Sequence, residues 1–307
     1  MFAIVVIFSL GPSCRLIGTS TQKLAGGENT MSYPIVLAHG VCPFDTMWNR
    51  LVVGNNKKDH GTDRLHYFKG VRPMLKAKGY AVFHSRVSWA AGTDQRAEDL
   101  RCNIVAILKR TGAERINIIA HSMGGLDARH MLFADRNRGR IHRRVASLTT
   151  ISTPHDGSPF ADWGMDHLPF VIPITHRLGL DLRGLRDLRT EACKAFNENA
   201  EVQSFERDCQ GSVRFQTYAG KQGMRGMFAL FRTSFRVIEK KEGKNDGLVS
   251  VRSARWREGY FKGTLNQCDH LNELGWWNPG QLLVGEGPRQ LLRRIHRFYA
   301  GIAEDLP

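Results

Sequence analysis

One short stretch of the chain carries an arrangement fit for nucleophilic chemistry: Ala120-His121-Ser122-Met123-Gly124, between an apolar run (INIIA, 116–120) and a helical pattern. Small residues two before and two after a serine let a strand turn abruptly into a helix. That turn lifts the serine hydroxyl above the edge of a sheet. Ala120 and Gly124 fill those small positions, and Gly125 follows. The Met123 amide, at the helix start, is aimed to stabilise an anion. An oxyanion needs a second donor. The loop after the first apolar run (PIVLA, 34–38) supplies it: Val41 offers the amide, with His39 and Gly40 shaping the loop.

A serine hydroxyl is a weak nucleophile without a base and an acid to orient that base, expected here in the order Ser, Asp or Glu, His. Of 12 histidines, only His270 and His296 lie beyond residue 176. His296 falls within the terminal helical pattern between arginines, so a surface position is expected, whereas His270 sits in a loop and is the candidate base. His121 adjoins the serine along the turn and should point away from it. Asp246, in the turn Asn245-Asp246-Gly247, is the candidate acid, and Asp269 is its rival. The chemistry expected is acyl transfer from a carboxylic ester to Ser122, then to water.

These residues require a scaffold that brings strand ends together. Strand patterns at 34–38, 80–87, 116–120, 145–152, 213–219 and 260–265 alternate with helical faces at 94–110, 123–135 and 288–303. Such alternation predicts an α/β fold with a mostly parallel, doubly wound sheet. Segments 154–189 and 221–245 break the rhythm and read as helical lid or cap insertions; their apolar residues (Phe160, Trp163, Leu168, Phe170 in the first; Met227, Phe228, Phe231, Phe235 in the second) predict a surface meant for lipid. Residues 31–307 form one domain in this reading. Residues 1–30 are either a leader or a mis-assigned start: the run Met1–Leu10 suits a signal peptide, but no basic residue precedes it.

Composition narrows the class. With 307 residues, 42% hydrophobic and 24% charged, the chain is an ordinary globular protein. The net charge of +15 favours anionic surfaces. Five arginines in 136–144 suggest nucleic acid, yet no nucleic-acid module accompanies them and a solvated loop is the default. The six cysteines form no CxxC pair, and pairing of Cys193 with Cys209 stays open. No run is long enough for a transmembrane helix.

YPIVLAHG (33–40), INIIAHSMGGLDAR (116–129), ISTPHDGSPFADW (151–163), NDGLVS (245–250) and DHLNELGWW (269–277), with RAEDL at 96–100, fall in the order found in the bacterial triacylglycerol lipases of the Pseudomonas and Burkholderia type. The chain resembles that family, within the α/β-hydrolase superfamily, over about 33–300. The resemblance implies hydrolysis of long-chain acylglycerols, a mobile helical lid and secretion; a start at Met31 would instead imply a cytoplasmic protein. It also implies a structural calcium bound by an Asp two residues after the histidine. Asn272 stands there, which removes a charge, so no cofactor or metal is expected. A short-chain carboxylesterase, a polyester depolymerase or an acyltransferase would use the same triad. A lipid-binding scaffold or a basic nucleic-acid-binding protein is the non-enzymatic alternative.

Overall fold

In the computed structural model the described residues are 32–40, 66–88, 91–167 and 182–307. They contain a six-stranded, wholly parallel sheet of order β2-β1-β3-β4-β5-β6. The strands are β1 (Ile35–Ala38), β2 (Val82–His84), β3 (Ile116–His121), β4 (Val145–Ile151), β5 (Arg214–Lys221) and β6 (Phe261–Asn266). The central strands β1, β3 and β4 are buried along their whole length, so they read as largely apolar runs, with Asn117, Ser147, Thr149 and Thr150 among the buried polar exceptions.

The strand period of two divides their side chains between two cores. Val36, Ala38, Ile118 and Ala120 face α2 (Thr93–Thr111). That helix contributes Ala97, Leu100, Ile104 and Leu108 and stops at Gly112, whose φ of +68° suits a residue without a side chain. Ile35, Leu37 and Ile119 face the opposite way, onto Leu291, Ile295 and Tyr299 of the C-terminal helix α10 (Pro288–Glu304). Because β2 and β3 leave β1 on opposite sides, the order reverses there. The carboxyl ends of β1 and β3 therefore border the crevice where open α/β sheets bind ligands.

The remaining helices are α1 (Val71–Ala77), α3 (Met123–Ala134), α4 (Pro159–Asp166), α5 (Leu182–Asp187), α6 (Thr190–Glu198), α7 (Ala200–Cys209), α8 (Arg232–Glu242) and α9 (Val251–Ala254). Cys193 and Cys209 lie on two helices, α6 and α7. Asn199 caps the second through Glu201 N and Val202 N. Both cysteines are buried and free. His296 is half-buried, its Nε2 3.3 Å from the Lys69 carbonyl, rather than on an open surface.

The apolar residues of the second insertion also turn inward. Met227, Phe231 and Phe235 are buried in a cluster of their own, and Met224, Phe228 and Leu230 pack half-buried against it. In the first insertion Phe160 is buried; Leu168, Phe170, Val171 and Ile172 lie outside the described residues. No helix among the described residues is long and apolar enough to cross a membrane. The arginine-rich stretch 136–144 is a turn and a short 3-10 helix laced to acids: Arg136 meets Glu201 at 2.6 Å, and Arg138 meets Glu98 at 2.6 Å and Asp135 at 3.2 Å. Those pairings leave the solvated-loop reading in place.

Candidate active site

Ser122 is the hinge between β3 and α3. Its φ of +57° is a left-handed conformation that costs energy for any residue with a side chain, and such strain collects at functional turns. Backbone bonds hold it: Ser122 N donates to Ile151 O (3.0 Å), and Ser122 O accepts from Gly125 N (3.1 Å) and Thr153 Oγ1 (2.8 Å). The small flanking residues have a steric cause. A Cβ on Gly124 would lie 2.7 Å from Ala38 O, and one on Gly125 2.7 Å from Thr153 Cγ2. Ala120 is fully buried, as is Met123, the first residue of α3.

The loop after β1 comes to the same place. A Cβ on Gly40 would lie 2.7 Å from Ser122 Cβ and 3.1 Å from its Oγ, so only glycine lets this backbone pass the hydroxyl. Val41, the expected second oxyanion donor, lies outside the described residues. His39 turns its Nδ1 to Gly40 O (2.9 Å). Burial, then the Arg96 charge, lowers its pKa to about 4, so it is neutral.

Arg96, which the sequence presents only as one residue of a helical pattern, is an anchor of the site. It is fully buried, pairs with Asp127 of α3 at 2.6 Å, and donates to His39 O (3.0 Å) and Ser88 O (3.1 Å). One guanidinium thus ties α2, α3 and the loop beside Ser122 together. Removing one partner of such a pair leaves a buried charge unmatched, at a cost of about 3–5 kcal/mol. The only hint in the sequence was an arginine on the apolar side of an amphipathic helix.

Asp246 and His270, 24 residues apart, meet. The turn around Asp246 is shaped by Asn245, whose Oδ1 accepts from Gly247 N (2.8 Å). Asp246 Oδ1 accepts from Leu248 N (2.8 Å) and Val249 N (2.7 Å). Its Oδ2 accepts from His270 Nδ1 (2.7 Å), and His270 N donates to Asp246 O (2.9 Å). Both side chains are buried. The His270 ring packs 4.5 Å from that of His121, the neighbour of Ser122. A carboxylate bonded to Nδ1 fixes the imidazole tautomer and leaves Nε2 as the basic nitrogen.

The rivals are engaged elsewhere. Asp269 accepts from Phe228 N and Asn278 Nδ2 on one oxygen and from Leu271 N and Asn272 N on the other. His121 is fully buried, with Nδ1 2.8 Å from Tyr67 Oη and Nε2 3.0 Å from Glu273 Oε2. Neither Tyr67 nor Glu273 belongs to the expected site.

The loop does not fit a calcium ion at Asn272. Its Oδ1 already accepts from Asp269 N (3.0 Å) and Gln281 Nε2, and its Nδ2 donates to Trp276 O (2.8 Å). Amide hydrogen bonds already engage the Asn272 oxygen that would otherwise be the calcium ligand there.

Burial also predicts how stability responds to acid. It holds His121 and His155 well below the usual histidine value, His39 and His130 at about 4, and His84 at about 2. These groups stay neutral when folded but take a proton on unfolding below about 6.5. Their stabilisation is thus present above that pH and is lost as pH falls toward the folded values. Asp127, Asp269 and Glu273, raised by burial (the first to about 6, the second to about 7), act with the opposite sign and are fewer. The melting temperature should therefore fall steadily from pH 7 to pH 5 at constant ionic strength. A calorimetric series that is flat or rising over that range would refute the balance.

Known proteins share this framework. The family described as "PGAP1-like alpha/beta domain" matches residues 97–169, which span the elbow. The chain is 28% identical to triacylglycerol lipase 2 of Saccharomyces cerevisiae, over 89% of this chain and 90% of that one. It is 26% identical to a triacylglycerol lipase of Burkholderia plantarii, over 79% and 78%. The solved structure of a metagenomic carboxyl esterase superposes with a TM-score of 0.64 at 20% identity, covering 93% of this chain and 80% of that one. The chain is a homologue of these triacylglycerol lipases and has the α/β-hydrolase fold.

Proposed function

We propose that this homologue of the triacylglycerol lipases cleaves long-chain acylglycerols through a triad of Ser122, His270 and Asp246. The observation that carries the reading is the His270–Asp246 bond at 2.7 Å, with the imidazole packed against the residue preceding a strained elbow serine.

In this reading His270 Nε2 takes the Ser122 proton as Oγ attacks the ester carbonyl. The amides of Met123 and Val41 hold the resulting oxyanion. Asp246 stabilises the imidazolium without itself becoming protonated. His270 then protonates the departing alkoxide, an acyl-enzyme remains, and water repeats the sequence to release the fatty acid. In this reading the described parts of the two insertions, with α4 and α8, serve as the cap over the cleft. The net charge of +15 suits an anionic lipid surface.

A second reading has a specific observation in its favour. Met227, Phe231 and Phe235 are packed inward, as a fixed cap would have them, and a fixed cap suits a short-chain carboxylesterase. Rates on emulsified triglycerides of increasing chain length, followed through the solubility limit, separate the two. A lipase gains activity once an interface forms and prefers long chains. Smooth saturation through the limit with a preference for short, dissolved esters would replace it with the carboxylesterase.

A further inference from the structure

The loop that carries the candidate base continues past Trp277 into a short 3-10 helix, Pro279–Val284, whose crown turns two leucines to solvent. Leu282 is 62% exposed and Leu283 67%; among the described residues the only other large apolar side chain so exposed is Val105, at 43%. A single exposed leucine is ordinary on a protein surface. An adjacent pair held outward by its own support calls for something to cover it.

The support is firm on both sides of the pair. Asn278 caps the turn, its Oδ1 accepting from Gly280 N (2.8 Å), while its Nδ2 donates to Oδ2 of Asp269, the neighbour of His270 (2.7 Å). Gln281 is fully buried, and its side-chain amide donates to Asn272 Oδ1. Glu286 N donates back to Gln281 O (3.0 Å), and Trp277 Nε1 donates to Glu286 O (3.0 Å). Arg294 of α10 then grips the Glu286 carboxylate with two bonds, at 2.8 and 2.6 Å. A Cβ on Gly280 would lie 3.0 Å from Gly226 O, so the second insertion packs against the foot of the turn. Folding the leucines inward would break these bonds.

Charge indicates what covers the crown. From Gln267 to Phe298 the acids are Asp269 and Glu273, both buried, and Glu286, which Arg294 neutralises. The helix that follows, α10, carries Arg289, Arg293 and Arg297, all exposed. Residues four apart lie along one face of a helix, so the three form a cationic stripe. None of them meets an acid among the described residues. A small apolar point continuous with a cationic stripe matches a phospholipid surface, where leucines enter the acyl boundary and arginines meet phosphate. A second copy of the chain fits less well, because a stable dimer needs about 800 Å² from each partner and two leucines supply little of it.

We propose that Leu282 and Leu283, with the arginine stripe of α10, dock this protein on an anionic phospholipid surface. The proposal deepens the lipid-substrate reading and rests on it for its purpose: the crown and His270 share one loop, so docking there brings that loop to the lipid boundary. Its test needs no turnover, so the docking and the triad stand or fall separately.

The test is co-sedimentation of the full chain with vesicles of ether-linked phospholipid, which offer no ester to cleave. One set is phosphatidylcholine alone, and the other is equal parts phosphatidylcholine and phosphatidylglycerol. Wild type should bind the anionic vesicles and bind the neutral ones far more weakly. Leu282→Ser/Leu283→Ser should weaken anionic binding by about 30-fold, from the apolar area no longer buried. Its melting temperature should stay within a few degrees of wild type, since both side chains face solvent. Should the double variant fail to fold, each single serine variant should weaken binding by about fivefold and decides in its place. Arg289→Ala/Arg293→Ala/Arg297→Ala should lose about ten- to a hundredfold on anionic vesicles and little on neutral ones. Val105→Ser, the matched change on α2, should bind as wild type does. A wild type that binds no vesicle, or binds neutral and anionic vesicles alike, overturns the proposal. So does a leucine variant within about threefold of wild type, or a Val105→Ser loss of equal size. Self-association of wild type without lipid, abolished by the leucine variant, would assign the crown to a second copy and overturn it as well.

Discussion

Replacing Ser122 with alanine should abolish ester hydrolysis, lowering kcat by about 10⁵- to 10⁶-fold and leaving only the residual rate that binding and the oxyanion donors supply. The fold should survive. Alanine keeps the Cβ that Ser122 already fits into the turn, and the bonds holding that turn are made by its backbone to Ile151, Gly125 and Thr153. The melting temperature of Ser122→Ala should therefore match wild type within a few degrees, so that lost activity reports lost chemistry. A serine-directed phosphonate should label Ser122 in the wild type and nothing in the variant. Ser152 makes a demanding control, because it too ends a strand with positive φ. Its hydroxyl already donates to Glu273 and accepts from Gly220 N, so it has no proton to give a base. Label at Ser152, or activity kept in Ser122→Ala, would remove Ser122 from the mechanism.

Most of the sheet could be read from the chain because parallel strands buried on both faces are rich in apolar and β-branched residues, as INIIA and VASLTTI are. Strand ends were less legible: the pattern at 80–87 yields only Val82–His84, since an edge strand is held by fewer neighbours than its composition suggests. The elbow was legible because its constraint is steric and local. Gly124 must clear Ala38 O, and the need for a small residue shows in the sequence itself. Glu273 and Arg96 were not, because what they do depends on partners far along the chain. A glutamate three residues beyond a candidate histidine looks like a solvated surface group until Ser152 and His121 are seen to enclose it. An arginine in an amphipathic helix looks exposed until Asp127 and the His39 carbonyl are found beside it. The second insertion was legible only in part: its dense apolar composition suits a lid that opens at lipid and a cap packed on the sheet alike, and Met227, Phe231 and Phe235 are buried against one another, because composition alone does not say which way an apolar face turns.

The same dependence on distant partners makes Asp246 the sharper test of the site. Asp246→Asn should lower kcat by about 10⁴-fold with a much smaller effect on KM. The amide can still accept from Leu248 N and Val249 N through its oxygen, so the turn that carries it should keep its shape. What then faces His270 Nδ1 is an NH₂ group in place of a carboxylate oxygen. The imidazole must present an unprotonated Nδ1 to that donor, which puts its proton on Nε2. That tautomer has no lone pair for the Ser122 proton, and the imidazolium formed in the transition state loses its counter-charge. Asp269→Asn is the matched control. Its carboxylate ties Phe228, Leu271, Asn272 and Asn278 together and makes no bond to the imidazole, so its loss should lower the melting temperature more than kcat. If Asp269→Asn proves the one that loses four orders of magnitude while Asp246→Asn stays within tenfold of wild type, the acid has been assigned to the wrong residue.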